Sequence, residues 1–399
     1  MTKDTGRTKP LAGLTVLDLT RLLPGPAATL HLADLGADVI KIEDTGLGDY
    51  GRSLGAGAEA ANRAGEDSPF FKLLNRNKRS LRLDLKRAAG VAVFLRLAAK
   101  ADVILEGFRP GVVDKLGIGY DKVKAINPRI VYCAISGYGQ SGPWRERAGH
   151  DINYIAMAGV LDQIGAKGAA PALPNFQIGD LLGGALTSLV GLLAAVIDAK
   201  TSGQGRYIDV AMTDAVFAHA FSAMLVTLEQ GKPAARGDDL LSGGVPCYGV
   251  YRTADDRYLA VGALEPKFWE MLCAAVARPD LAPYGLASGE RGDWAKNQLA
   301  ELIATQSLAH WEALFDKVDC CVTPVLTLDE AMHHAHMSAR GMLVHVGVMA
   351  QFAPPYQISD FVFDTDQPAP AAGQHSTAIL AEAGYSAADI AALRDSGVI

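Results

Sequence analysis

In Gly149-His150-Asp151-Ile152-Asn153-Tyr154 a histidine follows a loop and opens an amphipathic stretch, and Asp180 stands thirty residues later, just before the longest apolar run of the chain. Imidazole and carboxylate are groups that positioned sites use to move protons near neutral pH. By residue type alone, Asp180 reads equally as a helix N-cap and His150 as a surface histidine. The other reactive-looking clusters are weaker. Gly137-Tyr138-Gly139-Gln140-Ser141-Gly142 has dinucleotide spacing and follows a strand pattern, but Pro143-Trp144 and a polar run stand where a pyrophosphate-binding helix should begin. It reads as a turn lining a pocket. Gly55-Ala56-Gly57 has no strand before it. His333, His334 and His336 are irregularly spaced and lack a ligand set, so no metal site is expected. Adjacent Cys320 and Cys321 read as small packing residues at a helix end.

The elements that must position these residues alternate in the first half of the chain. Leu14–Leu19, Val39–Glu43, Val103–Phe108 and Arg129–Ser136 have strand character, with helical spacing at Pro26–Leu35 and Lys86–Lys100. Such alternation predicts parallel βαβ units. Residues 46–69 break the rhythm and read as a long loop, which in a compact domain is uncommon unless functional. Leu181–Ile197 predicts a buried core helix; it is short for a bilayer, and Asp180 and Asp198 bracket it. A strand at Tyr207–Val210 follows. Gly231–Gly244 reads as a linker into two strands, Tyr248–Arg252 and Tyr258–Gly262, and then three helices, giving a small α+β domain over 235–330. Residues 1–230 and 331–399 belong to the large domain, and a final helical stretch covers Ser376–Ser396.

Composition sets the outer bounds. At 49% hydrophobic and 20% charged residues the chain has ample material for a core. A net charge of −7 and the lack of a long basic block argue against nucleic acid as the main ligand. Five cysteines, none in C-x-x-C pairs, indicate neither a disulfide framework nor a zinc ribbon, and a reducing cytoplasm is the expected compartment. The polar start Met1–Pro10 lacks the apolar region of a signal peptide, and no membrane association is expected.

An ordered series of motifs resembles the family III CoA-transferase superfamily (CaiB/BaiF type), and within it the α-methylacyl-CoA racemases. It runs from Val16-Leu17-Asp18-Leu19 through Pro24-Gly25-Pro26, Leu32-Ala33-Asp34-Leu35-Gly36-Ala37-Asp38, Leu83-Asp84-Leu85-Lys86, Phe108-Arg109-Pro110-Gly111 and Gly149–Tyr154 to Gly179-Asp180, Gly262-Ala263-Leu264-Glu265-Pro266 and Ala339-Arg340-Gly341. The racemase likeness rests chiefly on His150 and Glu265 in their local settings. Asp44 departs from it, standing where many racemases carry arginine.

The resemblance implies a Rossmann-like α/β domain whose parallel sheet draws on both chain ends, a small α+β domain, and an interlocked homodimer. His150 and Asp180 would be the acid/base pair at the α-carbon of an acyl-CoA thioester, with Glu265 reaching the site from the partner subunit. Arg109, Leu83, Asp84, Leu85, Lys86, Gly149, Asp151, Ile152, Asn153 and Tyr154 would contact CoA, and Lys78 and Arg79 suit its anionic groups. CoA is then part of the substrate, and no separate cofactor is required. In the transferases of the superfamily the matching aspartate is a nucleophile instead.

Inverting an α-carbon needs a base on one face and an acid on the other, and one proton shared by His150 and Asp180 would serve both directions. With ordinary pKa values of about 6.5 and 3.9 the ion pair is favoured by roughly 3.5 kcal/mol, so the site must bring the two values together. The backbone N–H groups of Asp180–Gly183 are the candidate donors for an enolate oxygen.

Overall fold

The computed structural model describes residues 8–399, and Met1–Arg7 of the polar start lie outside them. Six short strands form one parallel sheet: β1 (Thr15–Asp18), β2 (Asp38–Glu43), β3 (Arg79–Arg82), β4 (Val103–Glu106), β5 (Val131–Ser136) and β6 (Tyr207–Ala211). Their order is β3-β2-β1-β4-β5-β6. The β4 and β5 strands are buried along their whole length, as expected when helices cover both faces of a parallel sheet. On one face, helix Pro24–Asp34 and the later helix Thr187–Ser202 pack Leu32, Leu192 and Val196 against Val16, Val39 and Val131. On the other, helix Ala88–Ala98 and the C-terminal helices Ser376–Glu382 and Ala387–Asp395 bury Phe94, Leu380 and Ile390 against Leu17, Ile40 and Ile104. Pro24 pre-sets the backbone at the start of the first helix, and a Ser386/Asp389 capping box starts the last.

The chain divides into two compact units: one takes the chain up to Ile155, residues 176–217 and 335–399; the other takes 156–175 and 218–334. The sequence reading counted 156–175 and 218–230 with the large domain, whereas here they group with the smaller unit. One expectation needs correcting. The C-terminal end joins the large unit but adds no strand to its sheet, every strand of which lies between Thr15 and Ala211. It supplies helices, a hairpin of β10 (Leu343–Val346) and β11 (Met349–Phe352), and a loop whose end bonds the edge strand at Ser80, through His375 and Gly373, and at Arg82, through Ser376. That loop shields a sheet edge that would otherwise be open for pairing.

The smaller unit holds an antiparallel sheet of β7 (Tyr248–Arg252), β8 (Tyr258–Gly262) and β9 (Val322–Pro324), and a core built on Trp269, Leu299 and Trp311. Two other expectations change. Residues 46–69 contain a one-turn 3₁₀ helix at Tyr50–Ser53 and an α-helix at Ala58–Arg63, so they are not a structureless loop. The helical run 179–202, long and apolar enough to span a bilayer by length and composition, buries only one face; Leu186, Val190 and Ile197 are exposed on the other. A helix that is apolar all round exceeds what one sheet face can cover.

Candidate active site

The strand order reverses between β1 and β4, and in open α/β sheets ligands bind outside the carboxyl ends of the strands at such a point. A cavity of about 570 Å³ lies there. Its walls come from the turns that leave the sheet: Thr20–Leu22 after β1, Gly107–Pro110 after β4, Ser136–Tyr138 after β5 and Met212 after β6. Arg109, Gly149, His150, Asn153, Tyr154 and Asp180 line the same cavity. A second cavity of about 410 Å³ shares Arg21 and Phe108 with the first, and Leu83, Asp84, Leu85 and Lys86 line it.

His150 precedes helix Asp151–Met157; its carbonyl accepts the Asn153 amide at 2.8 Å, and its own N–H donates to Asn153 Oδ1 at 3.0 Å. Its side chain is exposed. The ring of Tyr154 fills the space beside Gly137 and Gly149, where a Cβ would stand 2.3 Å and 2.7 Å from it. The Tyr154 hydroxyl donates to Gly149 O, and burial pushes its pKa up. The dinucleotide-like Gly137–Gly142 segment is thus a wall of the cavity, as its missing helix suggested.

Asp180 sits in a π-helical turn, Gly179–Leu186, which runs into the long apolar helix. Single π-turns of this kind recur at functional sites. Gly184 admits the turn to its neighbours, since a Cβ there would lie 2.5 Å from Pro24. Asp180 is not an N-cap; Ile178 holds that position. Burial, and then the charge of Asp151, raise the Asp180 carboxyl to about 7. The proposed enolate donors need correction at their first two members. The Asp180 N–H donates to Asp151 Oδ1 at 3.0 Å and the Leu181 N–H to Gln177 O at 2.9 Å, so both are occupied by the fold.

Two basic residues read from the sequence as CoA contacts lie elsewhere. Lys78 is buried, bonded to Pro26 O and Asn75 Oδ1 at 2.9 Å each and 3.5 Å from Asp18, and burial brings it down to about 7. Arg79 forms a two-pronged pair with Asp38 and a second pair with Glu382, and lines neither cavity. Asp151 is committed to the Asp180 amide, and Ile152 is exposed outside the cavity lining. Glu265 lies in the smaller unit, exposed at the start of helix Pro266–Ala275.

The sequence reading missed Arg21, Arg145 and Arg147, which line the first cavity. Arg21 is held by Asp44 at 2.6 Å and Tyr50 at 3.1 Å. Asp44, just after β2, thus holds an arginine that comes from the end of β1. Also missed was Glu106 at the end of β4, buried and accepting the Phe108 N–H at 2.7 Å beneath the Gly107–Pro110 turn. Burial raises it to about 8. The folded state therefore holds a proton that the unfolded chain releases above about pH 4.5, and stability falls between that pH and about 8. At pH 7 the deficit is about 3 kcal/mol. Glu106→Gln, which keeps an oxygen for Phe108, is expected to raise the melting temperature at pH 8 and to leave it unchanged near pH 4; equal midpoints at pH 8 would contradict a buried neutral Glu106.

The family model for CoA-transferase family III matches residues 11–376. The chain belongs to that family. Across 98% of its length it is 36% identical to α-methylacyl-CoA racemase of Mus musculus, covering 97% of that protein, and 32% identical to succinyl-CoA:glutarate CoA-transferase of the same organism, covering 90%. A crystal structure of a CaiB/BaiF family protein from Brucella suis superposes with a TM-score of 0.81 at 29% identity, over 94% of this chain and all of that one. The family thus includes proteins named for racemisation and proteins named for CoA transfer, both similar to this chain over nearly its whole length.

Proposed function

We propose that the chain is an acyl-CoA racemase or epimerase that inverts the α-carbon of a 2-methylacyl thioester by proton transfer through an enolate. The observation that carries this reading is the presence of His150 and Asp180 in one cavity, with Asp180 raised to about 7. At ordinary pKa values the single shared proton would stay on the imidazole. Raising the aspartate removes most of that imbalance from its side, so each residue can act as acid in one direction and base in the other. CoA would lie across the two cavities, its phosphates near Arg21, Arg109 and Lys86 and its thioester at the π-helical turn. No cofactor besides CoA is needed, and the reading places the enzyme in the cytoplasm without nucleic-acid or membrane partners.

The reading includes an interlocked homodimer in which Glu265 of one subunit closes over the site of the other. The apolar residues left bare on the larger unit (Val190, Ile197, Phe217) and on the smaller (Phe221, Leu225, Leu228) support a second copy.

A transferase is the second reading, favoured by the transferase relative at 32% identity. Asp180 would then attack the thioester carbonyl, CoA would leave as the thiolate, and a mixed anhydride would form. Incubation with a (2R)-methylacyl-CoA in D₂O separates the two. Racemisation predicts α-deuterium incorporation with loss of chirality; no exchange, together with hydroxylamine trapping of Asp180 in the presence of an acid acceptor, would establish the transferase.

A further inference from the structure

The β1 turn that walls the cavity holds a leucine in a conformation leucine seldom adopts. Leu22 has φ +64°, and such residues survive only where surrounding contacts over-determine them. The contacts are charged and buried. Asp49, 1% exposed and contributed by the segment 46–69, accepts the Leu22 N–H at 3.0 Å and the Gly51 N–H at 2.9 Å through one oxygen. Its other oxygen lies 2.8 Å from Lys41 Nζ, and Lys41, fully buried, donates to Thr20 O at 2.9 Å. Asp18 accepts the Thr20 N–H at 2.9 Å. Two carboxylates and an ammonium group thus meet the turn at Thr20 and Leu22, both of which line the cavity. The turn then enters Pro24, which packs on Gly184 in the turn that bears Asp180.

Buried ion pairs are poor devices for stability alone, because apolar residues of the same shape usually serve as well or better. What this pair does that an apolar pair could not is to accept the Leu22 N–H and donate to the carbonyl of Thr20, two residues away. We propose that Asp49, backed by Lys41, is a positioning residue: it fixes the Thr20–Pro24 turn as the cavity wall that packs on the Asp180 turn. This assigns a role to the segment 46–69, and it rests on reading the cavity as the acyl-CoA site.

The test compares Asp49→Asn with Asp49→Leu in the full-length protein. Both remove the charge facing Lys41 and both fill similar space; only asparagine keeps an oxygen for the Leu22 N–H. The expected result is a kcat of the leucine variant about 10- to 100-fold below that of the asparagine variant, measured per folded molecule, with free-CoA affinity by calorimetry changing less than kcat. Hydrogen exchange followed by mass spectrometry should show the Leu22 amide protected in the asparagine variant and exposed in the leucine variant. Equal kcat values in the two variants, or equal Leu22 exchange, overturn the proposal, as does a loss that tracks the unfolded fraction. If the wild type neither binds CoA nor turns over any acyl-CoA, the functional reading has failed, and the exchange comparison still decides whether Asp49 fixes the turn.

Discussion

Asp180→Asn is expected to lower turnover by three orders of magnitude or more while leaving the protein folded. Under proton transfer the variant loses one of two acid/base groups, and such groups contribute about 10²- to 10⁴-fold each. Under acyl transfer it loses the nucleophile, and an amide is far poorer. Stability should move the other way. A carboxyl raised to about 7 by burial binds its proton more tightly in the folded state, so its ionisation weakens the fold as pH rises toward and through 7. A neutral amide escapes that loss, and the inactive variant should melt no lower than the wild type at pH 8. Melting below the wild type at that pH would count against a buried, shifted Asp180. The pH profile of kcat/KM carries further information. A His150/Asp180 pair that works with one shared proton gives a bell, because two protons leave no base and none leaves no acid. A nucleophilic Asp180 gives a single rise through about pH 7 to a plateau. Asp151→Asn keeps an oxygen for the Asp180 N–H and removes a charge that raises Asp180, so the acidic limb should move to lower pH.

What could be read from the sequence follows from how local each signal is. The alternation of Val16-Leu17, Val39–Ile42, Val103–Leu105 and Val131–Ile135 with helical stretches gives the parallel sheet, because strand burial writes itself into consecutive residues. His150 and Asp180 were found through motif settings and do share a cavity wall. Lys78 and Arg79 suit CoA by charge, and charge alone does not say where a side chain points. The β3 strand sends Arg79 outward to Asp38 and Glu382, while the turn before it buries Lys78 beside Asp18. Arg21 and Asp49 escape a sequence reading for the complementary reason: their partners, Asp44 with Tyr50 and the Leu22 amide with Lys41, come from another part of the chain, and Glu106 gains its significance from burial in the middle of the sheet. Sheet order creates those encounters, and no single segment encodes them.

Removing Arg52 should have the largest effect on stability of any change near the cavity. Its guanidinium grips Glu43 with Nε at 2.8 Å and a terminal nitrogen at 2.6 Å, reaches Asp67 at 2.6 Å and Pro370 O at 3.1 Å, and stacks 3.8 Å above the Phe71 ring. Burial opposes the charge on Glu43, but the hydrogen bonds from Arg52 and the nearby cations outweigh it and hold the carboxyl at about 2. Because that value lies below the ordinary one, the stabilisation is complete above about pH 4.5 and is lost as pH falls toward 2. Arg52→Met strands a buried carboxylate, and breaking such a pair costs about 3–5 kcal/mol. Glu43→Gln in the same background should restore a large part, since the group left behind is then neutral; a double-mutant cycle in urea that shows simple additivity would contradict a coupled pair. The consequence reaches the cavity, because Glu43 also accepts the Asp49 N–H at 3.2 Å. Arg52→Met should therefore lower kcat per folded molecule as well as stability, whereas a comparably destabilising truncation in the smaller unit's core, such as Leu299→Ala, should lower stability alone.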